Sequence, residues 1–243
     1  MKVLIAVIAY NERKNLESVV KDLREHGYEF VVVDNCSTDD TAEYCRNNGI
    51  NFLKHPVNTG SSFGTVMTYF NYARKLDCDV LCQFDGDGQH IAGELYKIIQ
   101  PVEKGEADYV IGSRFLEGKG FQSYPLRRLA IKIFAAIDSV VTGKRLTDVT
   151  SGFRAYGRNV ISFFADYYKH EIIDTNQLLL LSHFSGARLA EVPVEMRGRV
   201  HGRSEFRFLN ALLFPVKGMM NIFGCLLQKK QIVKYKGELW DSK

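Results

Sequence analysis

Strand-length apolar runs alternate with helix-period segments through the first 114 residues of this 243-residue chain, and few folds accept that alternation. Val3 to Ala9 is a short apolar run. Arg13 to His26 sets Leu16, Val19, Val20 and Leu23 on one helical face, and Gly27 stops it. Phe30 to Val33 is a second strand with Asp34 at its carboxyl end, and Ser37-Thr-Asp-Asp-Thr41 caps a helix to about Asn48. Asn51 to Leu53 is a short third strand, followed by a helix from about Ser61 to Lys75. The fourth strand starts at Asp79 and ends at Asp85. A helix over about Ala92 to Glu103 leads to a fifth strand, Asp108 to Ile111. Strands separated by helices predict right-handed crossovers and a mostly parallel sheet, an α/β fold. Ligands of such sheets bind beyond the carboxyl ends of the strands. Asn11 and Glu12, Asp34, Asp85 and Asp87, and Arg114 all fall at that one edge.

Asp85 and Asp87 carry the strongest chemical signal. Side chains two apart at a strand end point the same way, so both carboxylates reach one point. They repel unless a proton or cation lies between them. A hard divalent ion that keeps water and a diphosphate in its shell fits such a pair. Asp-Gly-Asp-Gly is also good turn chemistry. Other motifs fail on spacing. A calcium loop from Asp85 would need Gly and Glu where His90 and Tyr96 stand. Gly118-Lys119 runs into Gly120 rather than Ser or Thr, and no glycine fingerprint follows the first strand.

The second part is less regular. Arg127 to Val141, Val160 to Tyr168 and Asn176 to Phe184 read as helices, and Thr147 to Arg154 as a polar turn in which Asp148 and Arg154 form a candidate ion pair. Arg188 to Val194 reads as an edge strand, because Pro193 cannot donate to a ladder. Arg197, Arg199, His201, Arg203 and Arg207 crowd one loop. Phe208 to Leu227 is apolar with helical period, broken by Pro215 and Lys217, and Lys229, Lys230, Lys234 and Lys236 follow it. A formal charge of +4 is too mild to argue for nucleic acid. The five cysteines show no metal-ligand spacing beyond Cys78 and Cys82, which read as small buried hydrophobes. Their odd number, without a leader-like segment, leads to the expectation of a reducing cytosol.

Several short motifs occur in a fixed order: Ala9-Tyr-Asn-Glu12, Val33-Asp-Asn-Cys-Ser-Thr-Asp39, Asn58-Thr-Gly60, Phe84-Asp-Gly-Asp-Gly-Gln89, Gly112-Ser-Arg114, Thr147 to Arg154, Glu191-Val-Pro193 and Arg199-Val-His-Gly-Arg-Ser204. With them the chain resembles the family 2 glycosyltransferases of GT-A fold, nearest to the polyprenyl- and dolichyl-phosphate sugar synthases. The resemblance implies a GT-A domain over residues 1–207, with a nucleotide-sugar half (1–114) and an acceptor half (115–207), and an amphipathic, membrane-associating segment over 208–243. It implies that Tyr10, Asn11, Glu12, Asp34 and Asp85 hold a nucleotide-sugar, a UDP-sugar being favoured. Asp85 and Asp87, with Gln89 completing the shell, would hold Mg²⁺ or Mn²⁺. The catalytic set would be Asp85, Asp87, Arg114, Arg199 and Arg203, acting with inversion in one in-line displacement. Gln177 stands where the group often carries a glutamate, and the broken run from Phe208 stands where the group often carries spanning helices. A small membrane partner protein is expected to replace them.

The acceptor decides what else is needed. A sugar hydroxyl requires a general base, for which Glu171 and Asp174 are the candidates. A lipid phosphate is already ionised, its second pKa lying near about 6, and needs only cations, which the arginine loop supplies. The expected activity is transfer of a hexose or N-acetylhexosamine to polyprenyl phosphate at the cytoplasmic membrane face, for cell-surface glycan synthesis. Extension of a lipid-linked or polysaccharide chain at a hydroxyl is the alternative. A non-catalytic sugar-nucleotide-binding subunit is the alternative of another class.

Overall fold

The computed structural model describes residues 1–58, 62–121, 125–168, 174–199, 201 and 208–240. The described strands are β1 (Val3–Ala9), β2 (Phe30–Asp34), β3 (Phe52–Lys54), β4 (Val80–Asp85), β5 (Tyr109–Ser113), β6 (Arg154–Gly157) and β7 (Leu189–Pro193). The described helices are α1 (Arg13–Glu25), α2 (Thr41–Asn47), α3 (Val66–Lys75), α4 (Leu95–Glu103), α5 (Pro125–Thr142), α6 (Arg158–Ser162), α7 (Thr175–Ser185), α8 (Phe208–Ile232) and α9 (Tyr235–Trp240). Short 3₁₀ turns lead into α3 and α4, and a π turn, Phe163–Tyr167, extends α6.

One sheet has the order β3-β2-β1-β4-β6-β5-β7. Every pairing is parallel except those of β6, which lies antiparallel between β4 and β5. Alternation along β1 builds both cores. Ile5, Val7 and Ala9 face α1, α2 and α4, while Leu4, Ala6 and Ile8 face α3 and α5 to α9. Burial on both faces is why the parallel strands read as unbroken apolar runs. The chain winds outward from β1 in both directions, so the strand order reverses beside β1, where the carboxyl ends of β1, β2 and β4 open a crevice.

Two sequence expectations change. The end of the Thr147–Arg154 segment is a strand start, and Arg154 does not pair with Asp148. Its buried guanidinium donates to the carbonyls of Val149 (2.5 Å), Ser151 (2.6 Å) and Thr175 (2.8 Å) and to the Tyr109 hydroxyl. Backbone oxygens thus satisfy a charge that sits in the core. α8 also runs without interruption through Pro215. Ile222, Cys225 and Ile232 anchor it in the core against α7, and such tertiary packing outweighs local propensity. Among the described residues no helix is long and apolar enough to cross a membrane.

Candidate active site

β1 and β4 run side by side in parallel, with Ile8 opposite Asp85. The turn after β4 folds against the end of β1, where Gly86 N–H donates to the Ile8 carbonyl at 2.8 Å. A Cβ at residue 86 would lie 2.8 Å from that same oxygen, so only glycine fits between the two aspartates. Asp87 is 6% exposed. One of its oxygens accepts from the Gln89 backbone N–H at 3.0 Å, and the other from the Arg199 guanidinium at 2.7 and 3.2 Å. Arg199 also lies 3.5 Å from Glu12, which accepts from the Asn15 amide at 2.6 Å. Burial raises the pKa of the Glu12 carboxyl, opposed by Asn15 and Arg199. Burial likewise raises that of Asp85, with Asp87 adding and His90 opposing.

Asp34 is fully buried at the end of β2. One carboxyl oxygen accepts from the Ser37 N–H at 2.9 Å and from its hydroxyl. The other is buried without a partner, the state expected of an acceptor reserved for a ligand N–H or O–H. Asn11 adopts φ +56°, and its side-chain oxygen accepts from the N–H groups of Thr38 (2.8 Å) and Asp39 (3.2 Å). It therefore staples the loops after β1 and β2 together. Tyr10 lies exposed beside it. Asp39 binds the N–H groups of Arg13 and Thr41, at the starts of α1 and α2.

The opposite wall is basic. Arg114, just past β5, is buried and paired in bidentate fashion with Asp148 at 2.6 and 2.7 Å. Glu191 on β7 accepts from the N–H groups of Thr147 and Asp148, fixing the loop that holds Arg114. Arg127, in the first turns of α5, feels Arg114, Asp148 and both aspartates. Sequence reasoning missed it because nothing local distinguishes it from any helical arginine. Gln83 and His90, both buried beside Asp85, were missed as well, although a polar residue at 83 inside an apolar strand was a readable signal.

Other expected residues lie elsewhere or beyond description. Gln89 donates from its side chain to the Arg197 carbonyl at 3.3 Å, and Arg197 N–H returns a bond at 2.8 Å, so Gln89 pins the arginine loop to the turn after β4. Asp174 caps α7 by accepting from Gln177 N–H at 2.7 Å and also binds Asn221, which makes it a structural carboxylate between helices rather than a base at the edge. Thr59, Gly60, Glu171, Arg203 and Arg207 lie outside the described residues.

The donor set bears on the expected metal. Among the described residues no group of three or more His, Cys, Asp or Glu side chains could hold an ion by itself. Two carboxylates at an open edge, one half-exposed, suit a cation that takes most of its shell from water and phosphate, which is how Mg²⁺ is commonly held. The residues present therefore fit that group, and Asp85 and Asp87 would be its protein ligands.

Comparison with known proteins shows which family and fold the chain shares. The UDP-N-acetylglucosamine–dolichyl-phosphate N-acetylglucosaminyltransferase of Methanococcus voltae is 27% identical over 213 residues, covering 79% of this chain and 84% of that protein. The undecaprenyl-phosphate mannosyltransferase of Micrococcus luteus is 27% identical, covering 84% and 87%. The dolichol-phosphate mannosyltransferase of Pyrococcus furiosus is 26% identical, covering 98% and 66%. In fold, the chain matches the glucosyl-3-phosphoglycerate synthase of Mycobacterium tuberculosis solved with Mn²⁺ and UDP-glucose, with a TM-score of 0.67 at 19% identity over 92% of this chain and 78% of that one. The α/β architecture is thus of the GT-A type. The model of glycosyl transferase family 2 matches residues 4–164, and the chain belongs to that family.

Proposed function

We propose that this glycosyltransferase moves a hexose or N-acetylhexosamine, with inversion, from a nucleotide diphosphate sugar to a polyprenyl phosphate, using Mg²⁺ or Mn²⁺. A UDP-sugar is the favoured donor. The observation that carries the reading is the gathering of carboxylates and arginines at one sheet edge. Glu12, Asp34, Asp85 and Asp87 stand at the strand ends, Arg199 lies between Asp87 and Glu12, and Arg114 acts on Asp85 from its pair with Asp148. The activities of the three enzymes from Methanococcus voltae, Micrococcus luteus and Pyrococcus furiosus, each on a lipid phosphate, support the acceptor class.

Within this reading, Asp34 and Glu12 accept from the nucleoside, and Asp34 offers its unpartnered oxygen. Asp85 and Asp87 would hold the divalent ion, which when bound neutralises charge on the leaving diphosphate. The arginines hold and orient the anionic acceptor, as guanidinium groups suit phosphate. An ionised phosphate needs no proton removed, consistent with the placement of Asp174 as a helix cap.

The reading also places the enzyme peripherally on the cytoplasmic membrane face. α8 exposes Met219, Met220, Phe223, Leu226 and Leu227 on successive turns, and α5 adds Leu129 and Ile133. The two helices meet where Gly218 lies against the Phe134 ring. Lys229 and Lys230 at the end of α8 suit an anionic headgroup layer. A small membrane partner would sit beside this face.

The test is incubation with radiolabelled UDP- and GDP-sugars, Mn²⁺ and a polyprenyl phosphate, followed by lipid extraction. Label in an alkali-stable, acid-labile phospholipid is expected. Label transferred only to hydroxyl acceptors would overturn the phosphate reading.

A further inference from the structure

The two aspartates of the metal-binding pair are held differently. Asp87 is matched by a cation, Arg199, at 2.7 Å. Asp85 is held at close range by uncharged donors. Gln83 lies two residues back on the same side of β4, and its amide nitrogen and both Asp85 carboxylate oxygens converge on the space beside Gly152. The amide has one available orientation, because its oxygen accepts from the hydroxyls of Tyr69 and Tyr156, each at 3.1 Å. Both phenols are fully buried, and burial pushes their pKa far up, so they remain donors. His90 adds the second contact. The Asp85 backbone N–H donates to its Nδ1 at 2.9 Å, so that nitrogen carries a lone pair and the proton resides on Nε2, 3.6 Å from the carboxylate. Stacking on Phe153, with centroids 4.6 Å apart, fixes the ring. The loop before β6 closes over this arrangement. A Cβ on Gly152 would lie 2.8 and 3.1 Å from the two Asp85 oxygens and 3.2 Å from the Gln83 amide nitrogen.

We propose that Gln83, oriented by Tyr69 and Tyr156, is a positioning residue that fixes the Asp85 carboxylate for the divalent cation without neutralising it. A guanidinium in its place would compete with the ion. An amide donor settles the rotamer and leaves the full negative charge available. Partners of this kind typically contribute 10–100-fold to metal affinity. The proposal rests on the metal-dependent reading above.

The test measures Mn²⁺ affinity by electron paramagnetic resonance of the free ion, at saturating UDP, or GDP where the parent prefers it. Gln83→Leu is expected to weaken Mn²⁺ binding about 10–100-fold, while nucleotide affinity in EDTA stays within about twofold of the parent. Tyr69→Phe should weaken Mn²⁺ binding less, and should add nothing in the Gln83→Leu background, because both act through one amide. A merely structural role would instead lower the melting temperature and metal-free nucleotide affinity together, and the two losses would add. A Gln83→Leu variant that binds Mn²⁺ within about threefold of the parent overturns the proposal. Should that variant not fold, Tyr69→Phe alone decides, with unchanged Mn²⁺ affinity as the refuting result. A parent that binds nucleotide but no Mn²⁺ overturns the metal reading itself, and is a different result from either.

Discussion

Asp138 offers a sharp test of how the helical layer is built. It sits on α5 with no exposure, and neither carboxyl oxygen has a hydrogen-bond partner. Burial pushes its pKa up to about 8, with Asp174 adding to the shift and Arg154 opposing it. In an unfolded chain an aspartate titrates near about 3.9. Between those values the folded protein holds a proton that the unfolded chain has released. The associated stability is fully present below about pH 4 and is lost as pH rises to about 8, at up to about 1.4 kcal/mol per pH unit. Four units give a ceiling of about 5 kcal/mol. Asp174, whose own pKa is raised by burial, and Cys225, pushed up to about 12, lie close enough to act on one another electrostatically, so ionisation of Asp138 is felt by both. Asp138→Asn keeps the shape and is neutral at every pH. Its unpartnered amide adds a cost of about 1–3 kcal/mol that does not vary with pH. Urea unfolding of parent and variant at pH 5 to 9 should show the variant gaining on the parent by roughly 2–4 kcal/mol across that range. A parent–variant difference that stays flat from pH 5 to 9 would mean that Asp138 is ionised throughout, and would refute the argument.

Three further outcomes follow from the site. Asp34→Ala should weaken nucleotide binding at least about tenfold by calorimetry while slowing bound-state turnover less, since a charge-accepting hydrogen bond contributes about 1.5–3 kcal/mol; an unchanged dissociation constant removes Asp34 from the site. Asp87→Ala should abolish transfer with the fold intact, and EDTA should do so reversibly; full activity in EDTA sinks the metal assignment. Met220→Asp with Phe223→Asp should abolish co-flotation with anionic liposomes, each buried charge costing about 2.5–3.5 kcal/mol in a hydrocarbon phase, and liposome binding equal to the parent's would remove α8 from the membrane face.

The first half of the fold was legible because its strands are buried on both faces and its helices carry an apolar stripe. Both patterns survive in a single sequence. β6 was not legible. Four residues beginning with arginine look like a turn, and only the carbonyls of Val149, Ser151 and Thr175, brought in from two segments, make Arg154 acceptable in a core. The helix through Pro215 was misread for a related reason, since the packing of Ile222 and Cys225 that sustains it is not local. At the site, strand-end carboxylates could be located by counting. Their partners could not. Arg199 meets Asp87 and Glu12 from the loop after β7, and the Asp148 carboxylate reaches Arg114 across a 34-residue separation. The expected Asp148–Arg154 pair failed because proximity in sequence was taken for proximity in space.

The same connectivity explains how carboxylates and arginines come to one sheet edge. The parallel strands β2 and β4 end in Asp34 and Asp85, and Glu12 follows β1 by three residues, because the chain leaves each strand into a crossover loop on the same edge. The antiparallel strand β6 then separates that half of the sheet from β5 and β7. It delivers the 147–153 loop to the crevice from the opposite direction, so that Asp148 anchors Arg114 while Gly152 lies over Asp85. One inserted strand thus brings the Asp148–Arg114 pair to the edge where Asp85 stands. With Arg114 and Arg199 near the strand ends and Asp174 engaged as a helix cap, the described residues suit a nucleophile that arrives already ionised, which is the chemical reason to propose a phosphate over a hydroxyl.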